Sequence, residues 1–277
     1  MNYGALAPLY DRLMAHVGYH RWHSLIEQVV GRYSESRRPS ILEIGGGTGV
    51  LGERMVAAGF PYVGSDLSYP MCQQAKERIG KVVCADGRHL PFRTASAFDL
   101  VLFLYDGINY LQDRDAYCRL FGEVHGQLKP GGLFLFDITT VFNSVNNFNE
   151  YVDSDDFGDH FYFRHSYYHA LQSVQYNDFT IFSRCADRDV EQPAGGVAAA
   201  LARGLARPAP LVGDDEAGLY RKSMEHHAQK VFPVSVIRDF VPGAQFDIVG
   251  IWDDFSLKKH TPHSERVHFL LRKKGGL

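Results

Sequence analysis

The sequence predicts an α/β protein: a doubly wound, seven-stranded, mostly parallel sheet that ends in an antiparallel hairpin. Two helical segments precede the sheet, and a separate antiparallel sheet is inserted before its last strands. Three observations carry this reading. Between residues 40 and 138 short apolar runs alternate with amphipathic stretches, the pattern of buried parallel strands covered on both faces. The last two apolar runs, "QFDIVGIW" and "ERVHFLLRKK", are about a dozen residues apart. That leaves no room for a crossover helix, so they must pair antiparallel. Between residues 140 and 232 no strand–helix unit occurs, and side chains alternate with period two, as in antiparallel strands with one open face.

The elements follow in order. "YGALAPLYDRLMAHV" and "YHRWHSLIEQVVGRY" space apolar residues as helices do, with Leu25, Ile26, Val29 and Val30 forming the stripe of the second. Strands are predicted at Ser40–Ile44, Tyr62–Ser65, Val82–Ala85, Asp99–Leu104 and Leu133–Ile138, with helices at Val50–Ala58, Tyr69–Ile79 and Asp113–Leu128. "HFYFRHSYYH", "SVQYNDFTIFSR" and "LYRKSMEHHAQKVF" read as the inserted strands, and residues 190–218, rich in Ala, Gly and Pro, as a mobile loop. "SVIRDFV" then reads as a helix before the final hairpin. The division is 1–34 for the leading helices, 35–139 with 233–277 for the main sheet, and 140–232 for the insertion.

Composition narrows the function classes. The chain has 277 residues and a formal net charge of -3, which gives no basic footprint for nucleic acid. No apolar run reaches the ~20 residues that span a bilayer, and "MNYGALAPLYDRLMAH" lacks the features of a signal peptide. The four cysteines are scattered without C-x-x-C spacing, as expected of reduced thiols in a cytoplasmic protein. The 13 histidines include no metal-ligand pattern. His226 and His227, adjacent on a strand, point to opposite faces and cannot share an ion. No metal is expected.

The stretch "ILEIGGGTGVLGERM" joins a strand to a helix through glycines, which brings bare backbone and a positive helix end to a ligand. Two frames compete. Gly47, Gly49 and Gly52 spell a dinucleotide G-x-G-x-x-G, but the strand ends at Ile44, so that match begins two residues too far into the turn. The frame starting at Gly45 follows Glu43, whose carboxylate would repel a pyrophosphate and favour a ligand carrying an ammonium group. Asp66 closes the second strand 21 residues past Gly45, where it can accept from ribose hydroxyls. Asp86 ends the third strand, placed to accept from an adenine amino group. Both aspartates also suit helix caps.

At this point the chain resembles the class I S-adenosylmethionine-dependent methyltransferases, which have a Rossmann-like fold. "LEIGGGTG", "GSDLS", "ADGRHLPF", "FDLVLFLYDGINYL" and "LKPGGLFLFD" stand in family order and spacing. With "LAPLYDRLM", "YHRW", "MEHHAQKVF" and "DDFS…SERVHFLLRKK", the chain is similar to a bacterial small-molecule subgroup related to sugar N-methyltransferases and glycine N-methyltransferase. The resemblance implies S-adenosyl-L-methionine as cofactor and S-adenosyl-L-homocysteine as product. It places Glu43, Gly45, Gly46, Gly47 and Gly49 beside the methionine part and Asp66 at the ribose. Leu67 and Met71 would line the adenine pocket, Asp86 and Gly87 would meet the adenine edge, and Leu104 would lie under the sulfonium. Tyr10 and Trp22, in an N-terminal helical lid, would cover the cofactor, although aromatics on such helices also serve as core.

The acceptor side is less determined by sequence. "LYDGINYL" puts Asp106 and Asn109 where an acceptor would approach, yet both residues are also turn formers. His165 or His226 is a candidate base or orienting group in the inserted sheet. The expected reaction is in-line displacement onto a nitrogen or oxygen of a small molecule. The expected assembly is a monomer or homodimer, with no nucleic acid or membrane as partner. A non-catalytic cofactor-binding regulatory module and a nicotinamide-dependent oxidoreductase are the alternatives. The glycine frame, Glu43 and the final hairpin speak against the second.

Overall fold

The computed structural model describes residues 3–92, 97–185 and 219–275; the expected 190–218 loop lies outside them. A 3₁₀ turn leads into α1 (Tyr10–Leu13), followed by α2 (Tyr19–Tyr33). Then β1 (Ile41–Ile44), α3 (Val50–Ala57), β2 (Tyr62–Asp66), α4 (Tyr69–Ile79) and β3 (Val82–Cys84) build one half of the main sheet. After β4 (Phe98–Phe103), α5 (Arg114–Gln127) and β5 (Leu128–Thr139) start the other half, and a short α6 (Val141–Asn147) leaves it. The second sheet comprises β6 (Tyr151–Asp156), β7 (His160–His169), β8 (Val174–Arg184) and β9 (Tyr220–Lys230). The chain then returns through α7 (Val234–Phe240), β10 (Phe246–Asp253), β11 (Lys258–Lys259) and β12 (Arg266–Lys273).

The main sheet runs β11-β10-β12-β5-β4-β1-β2-β3. β1 pairs in parallel with β2 and β4, β2 with β3, and β4 with β5, whereas β12 is antiparallel to both β5 and β10. The terminal hairpin thus inserts β12 beside β5 and pushes β10 outward. The expected seven strands become eight because Lys258–Lys259 pairs with Trp252 and Asp253 at the edge. Two residues without apolar alternation give a sequence reading nothing to detect.

Strand alternation sorts the core into two layers. Leu100, Leu102, Leu133 and Leu135 face α2, which contributes Trp22, Leu25, Ile26, Val29 and Val30 at the i, i+3, i+4, i+7 spacing of a buried helix face. Val101, Phe103, Phe134 and Phe136 face the other way onto Tyr117, Leu120 and Phe121 of α5 and Ile237 of α7. Asp113 starts α5 by accepting from the Ala116 backbone N–H at 2.8 Å, which satisfies one of the donors left free at a helix start.

The second sheet has the order β6-β7-β8-β9, antiparallel throughout. Its inner face presents Tyr162, Phe179 and Ile181 to Leu6, Leu9, Leu13 and Met14, so the N-terminal segment is the filling between this sheet and the rest. β6 and α6 were not anticipated. "YVDSDD" is largely exposed and shows no apolar alternation; its six residues pair with β7 through the backbone, which sequence patterning does not display.

Replacing Phe121, which is fully buried between α5 and the sheet, should lower unfolding free energy by about 3–5 kcal/mol as Phe121→Ala. Leu171→Ala, at a side chain 96% exposed, should change it by less than ~0.5 kcal/mol. Urea denaturation measures both, and equal losses would contradict this core assignment.

Candidate active site

The strand order reverses between β1 and β4: from there the chain builds β2 and β3 on one side and β5 on the other. Loops leaving the carboxyl ends of two such strands diverge and open a crevice. Here it is a cleft of about 440 Å³. Glu43, Gly45–Gly47 and Thr48 form its floor, Leu104 and Tyr105 one wall, and Tyr10, Tyr19 and Trp22 its cover.

The glycine loop has the shape that its sequence demands. Gly49 precedes α3 with φ +83°, and a Cβ there would stand 3.0 Å from the Ala75 Cα of α4. Any other residue would therefore be strained in backbone and would clash. A Cβ on Gly46 would stand 2.7 Å from Glu43 Oε2, so only bare backbone leaves that carboxylate open to a ligand. Glu43 is buried at the end of β1 and accepts from the Tyr62 hydroxyl. Burial raises its pKa to about 7, against the Tyr62 hydrogen bond that lowers it and with Asp66 raising it further. A buried acid short of positive neighbours, beside a glycine cradle, suits a ligand with an ammonium end.

Asp66, at the end of β2, accepts from the backbone N–H groups of Gly47 (2.9 Å) and Ser68 (2.8 Å). It thereby ties the second strand to the glycine loop. Burial raises its pKa, and these hydrogen bonds oppose the rise. Under Glu43 and the loop, towards Asp66, the packing closes up and leaves no room for a water molecule. The adenine side is less open. Leu67 is 61% exposed while Met71 is 1% exposed. The Asp86 carboxylate is held by Arg88 at 2.6 Å, and this hydrogen-bonded pair lowers its pKa. Gly87 lets the backbone pass Ile44, whose Cγ2 would lie 2.6 Å from a Cβ.

Beyond Leu104 the backbone turns sharply. Tyr105 and Asp106 both have positive φ, +62° and +50°, which costs non-glycine residues of order 1–3 kcal/mol each. Asp137, fully buried on β5, accepts the Asp106 N–H at 2.9 Å. Arg266 on β12 donates to both Asp137 and Asp106, the latter at 3.2 Å, and its guanidinium packs against the rings of Trp22 and Tyr105. Gln229 of β9 donates to the other Asp106 oxygen at 2.5 Å. Burial is the main cause that raises the Asp106 pKa to about 6; Arg266 lowers it and Asp137 raises it. Burial raises the hydroxyl pKa values of Tyr3, Tyr10, Tyr105 and Tyr110, and the Asp106 carboxylate adds to the rise in each. Asp106 directly follows Tyr105 at the end of this wall, while the Tyr3 ring meets those of Tyr10 and Tyr110 at 5.6 and 6.2 Å.

The N-terminal segment closes this space. Glu225 of β9 accepts the backbone N–H groups of Tyr3 (2.6 Å), Ala5 (2.5 Å) and Leu6 (3.1 Å), and its neighbour His227 bonds it at 3.1 Å. Burial opposes the Glu225 charge, but these donors hold its pKa below the usual carboxylate range. His227 also contacts the Tyr110 hydroxyl at 2.9 Å, and Tyr110 meets Tyr3 at 2.7 Å. On the other side, Asp11 is bound by Thr48 of the glycine loop and by Arg78.

Several expected acceptor residues are corrected. Asn109 is 1% exposed and spans two backbones, donating to the Lys230 carbonyl and accepting from the Thr139 N–H. It fastens the turn rather than facing the cleft. His165 and His226 lie on the outer face of the second sheet, paired with Glu150 and Asp178. The inward histidine is His227. Opposite orientation of His226 and His227 was readable from period two, but which one faced inward depended on where the N-terminal segment packs. Arg266 and Glu225 were not singled out by sequence either, since lone charges on strands carry no motif. Trp22, at 3% exposure, both walls the cleft and packs on Tyr105, Phe255 and His268.

Parallel strands reversing at a glycine loop, with a terminal β12 antiparallel to β5, define the class I methyltransferase fold. Residues 41–132 match the family profile described as a methyltransferase domain. A putative methyltransferase of Geobacillus sp. (strain WCH70) is 26% identical over 277 residues, covering 99% of this chain and 100% of that protein. Among solved structures, an S-adenosylmethionine-dependent methyltransferase from Clostridium acetobutylicum ATCC 824 aligns with TM-score 0.73 and 22% identity over 99% of both chains. The sugar N-methyltransferase KedS8 from Streptoalloteichus sp ATCC 53650 aligns with TM-score 0.71 and 16% identity, over 99% of this chain and 95% of that one. Residues 41–132 thus carry a methyltransferase domain, and the chain as a whole has the fold of the S-adenosylmethionine-dependent methyltransferases with which it aligns. No helix among the described residues is long and apolar enough to cross a membrane.

Glu43 has a consequence for stability. Its folded pKa, about 7, lies above the ordinary glutamate value of 4.5, so the folded protein holds a proton that the unfolded chain releases. Its contribution is then most favourable below pH ~4.5 and is lost as pH rises towards ~7. Without ligand, Glu43→Gln should gain stability over wild type above pH ~7, by up to about 3 kcal/mol, and none near pH 4.5. Thermal melts across this range check it; a gap independent of pH would exclude the linkage.

Proposed function

We propose that this methyltransferase acts on a nitrogen or oxygen of a small molecule, a primary or secondary amine being the acceptor that the site suits best. The observation that carries this is the position of Asp106: a largely buried carboxylate that directly follows Leu104 and Tyr105 of the cleft wall, held there by Arg266 and Gln229. Arg164 and Arg266, the arginines near this space, are already paired with Asp153 and with Asp106 and Asp137. Asp106 and Asp137 thus share a single guanidinium, so the polarity left over is acidic and hydroxylic, which favours a cationic or hydrogen-bond-donating acceptor. Enclosure by the N-terminal segment supports a small acceptor over a macromolecule, and the similarity to a sugar N-methyltransferase agrees with an amine.

In this reading Glu43 and the bare backbone of Gly45–Gly49 hold the amino-acid end of S-adenosylmethionine, and Asp66 holds the ribose. Leu104 underlies the reacting centre, and Tyr10 and Trp22 close over it. Asp86 and Gly87 border the base, with Leu67 and Met71 at its margin. Once bound, the cofactor supplies a methyl carbon already activated by its sulfonium, so the protein need only align the acceptor and exclude water. Asp106 binds the acceptor's N–H groups and takes the proton that an ammonium must lose before its lone pair can attack. Tyr3, Tyr10, Tyr105 and Tyr110 supply hydrogen bonds and an apolar wall. S-adenosylhomocysteine is the product.

Calorimetry should show micromolar binding of S-adenosylmethionine and S-adenosylhomocysteine to the wild type, weakened at least roughly tenfold in Asp66→Ala. A folded wild type that binds neither would overturn the assignment.

In an assay of S-adenosylhomocysteine formation over a panel of small amines and alcohols, Asp106→Asn should lower kcat by ~10²–10⁴ and leave cofactor affinity unchanged. Wild-type kcat/KM should rise with pH through about 6, because Asp106 must be ionised to take a proton. An activity in Asp106→Asn equal to wild type would remove Asp106 from the acceptor site.

A further inference from the structure

The inner face of the β6–β9 sheet is used by the N-terminal segment, while the described residues leave the outer face open. It carries Val152, Phe161, Phe163, Tyr220 and Met224, each at least 36% exposed and Met224 72%. These are five of the large apolar side chains that the described residues expose, gathered on one side of four strands. Such a concentration marks an association surface.

Directly paired residues of neighbouring strands point to the same face, so this face can be read in rows. The outermost row is Asp156, Phe161, Phe182 and Lys222, from β6 to β9. The next is Ser154, Phe163, Thr180 and Met224; the third is Val152, His165, Asp178 and His226. The fourth brings Tyr167 beside Tyr176, their rings stacked at 5.1 Å, and Tyr176 stacks in turn on His226 at 5.1 Å. The first row reads acid, aromatic, aromatic, base. Reversed, it is complementary to itself.

We infer that two copies of this chain associate face to face through this sheet, about a two-fold axis running along the strands between β7 and β8. Rotation about that axis sets β6 of one copy over β9 of the other and keeps each row against itself. Phe161 then meets Phe182 of the second copy, and Asp156 meets its Lys222. Further along, Phe163 meets Thr180, Met224 meets Ser154, His165 meets Asp178, and Tyr167 meets Tyr176. No row opposes like charges. An isologous contact requires this property, and an axis lying across the strands would not give it, since it would set the first row against the fourth.

The geometry of packed sheets permits the match. Facing sheets stand ~10 Å apart and cross at about −30°, which displaces the outer strands by only ~4 Å, within reach of a lysine side chain. Four strands at ~4.8 Å spacing and about eight residues of length offer roughly 500 Å² of projected face. That is at the small end of specific interfaces, so the dimer should dissociate on dilution. The association leaves the cleft free, because the cleft opens on the main sheet and this face points away from the N-terminal segment.

Sedimentation velocity on the full chain, from ~1 to ~100 μM, should show a monomer–dimer equilibrium in this range. Phe161→Asp, at an exposed position, should keep the circular dichroism spectrum and melting temperature and weaken the dimer at least roughly tenfold. Lys222→Glu alone and Asp156→Lys alone should each weaken it, and the two together should restore it, because across the axis the reversed charges meet again. A chain monomeric throughout, a dimer indifferent to Phe161→Asp, or a double variant no tighter than either single one would overturn the proposal.

Discussion

The site depends on a buried ionic knot: Arg266 bridging Asp137 and Asp106. Two consecutive non-glycine residues in the left-handed region are unfavourable, and the chain adopts them at Tyr105 and Asp106, just past β4 at the end of the cleft wall. Asp137 holds the turn by taking the Asp106 N–H, and Arg266 holds Asp137. The aromatic rings of Trp22 and Tyr105 cover the guanidinium, so α2, β4, β5 and β12 meet at one cation. Burial opposes the Arg266 charge, yet Asp137 and Asp106 more than offset this and raise its pKa. The cation is thus permanent, and loss of either anchor would leave buried charge unpaired.

From this knot the two halves of the molecule are joined by polar contacts rather than by a continuous core. Gln229 reaches from the second sheet to Asp106, and Asn109 reaches from the turn to the end of β9. The N-terminal segment completes the link, with its amides on Glu225 and its Asp11 on the glycine loop. Its apolar side chains, Leu6, Leu9, Leu13 and Met14, fill the gap that remains. Such an arrangement is specific in position but comparatively cheap to open, since every link is local and several are single hydrogen bonds. A site that must admit both a cofactor and an acceptor needs that property.

The main sheet was legible because its physics is periodic. Strands buried on both faces, a hairpin too short for a crossover, and glycines at a strand end each leave a local trace. The glycine-loop side of the cleft was legible for the same reason: Glu43, Gly46 and Asp66 sit within one or two residues of strand ends. The side beyond Tyr105 was not. His227, Glu225, Gln229 and Arg266 come together from β9 and β12, and only tertiary packing tells which side of those strands faces inward. His165 and His226 were as plausible in sequence as His227, and the docking of the N-terminal segment decided between them. β6 escaped notice because its residues pair by backbone alone.

Charge balance supplies the last step. Glu43, Asp66, Asp106 and Asp137 all have raised pKa values, and burial is the first cause in each case. Against these four acids the core of the site sets one permanent cation, Arg266. A protein selected for stability alone would have little reason to bury acids in this proportion. S-adenosylmethionine, with a sulfonium, an ammonium and one carboxylate, brings a single net positive charge into this deficit with its ammonium free to face Glu43. An amine acceptor brings a second until it gives up its proton. Binding would then draw on electrostatic free energy that the unliganded fold leaves unmet, favouring the closed, fully ionised site. A dinucleotide, whose pyrophosphate adds negative charge, would deepen the deficit beside Glu43. The same acids that are costly to bury would thus favour a cationic ligand over a dinucleotide at a glycine-rich turn after a strand.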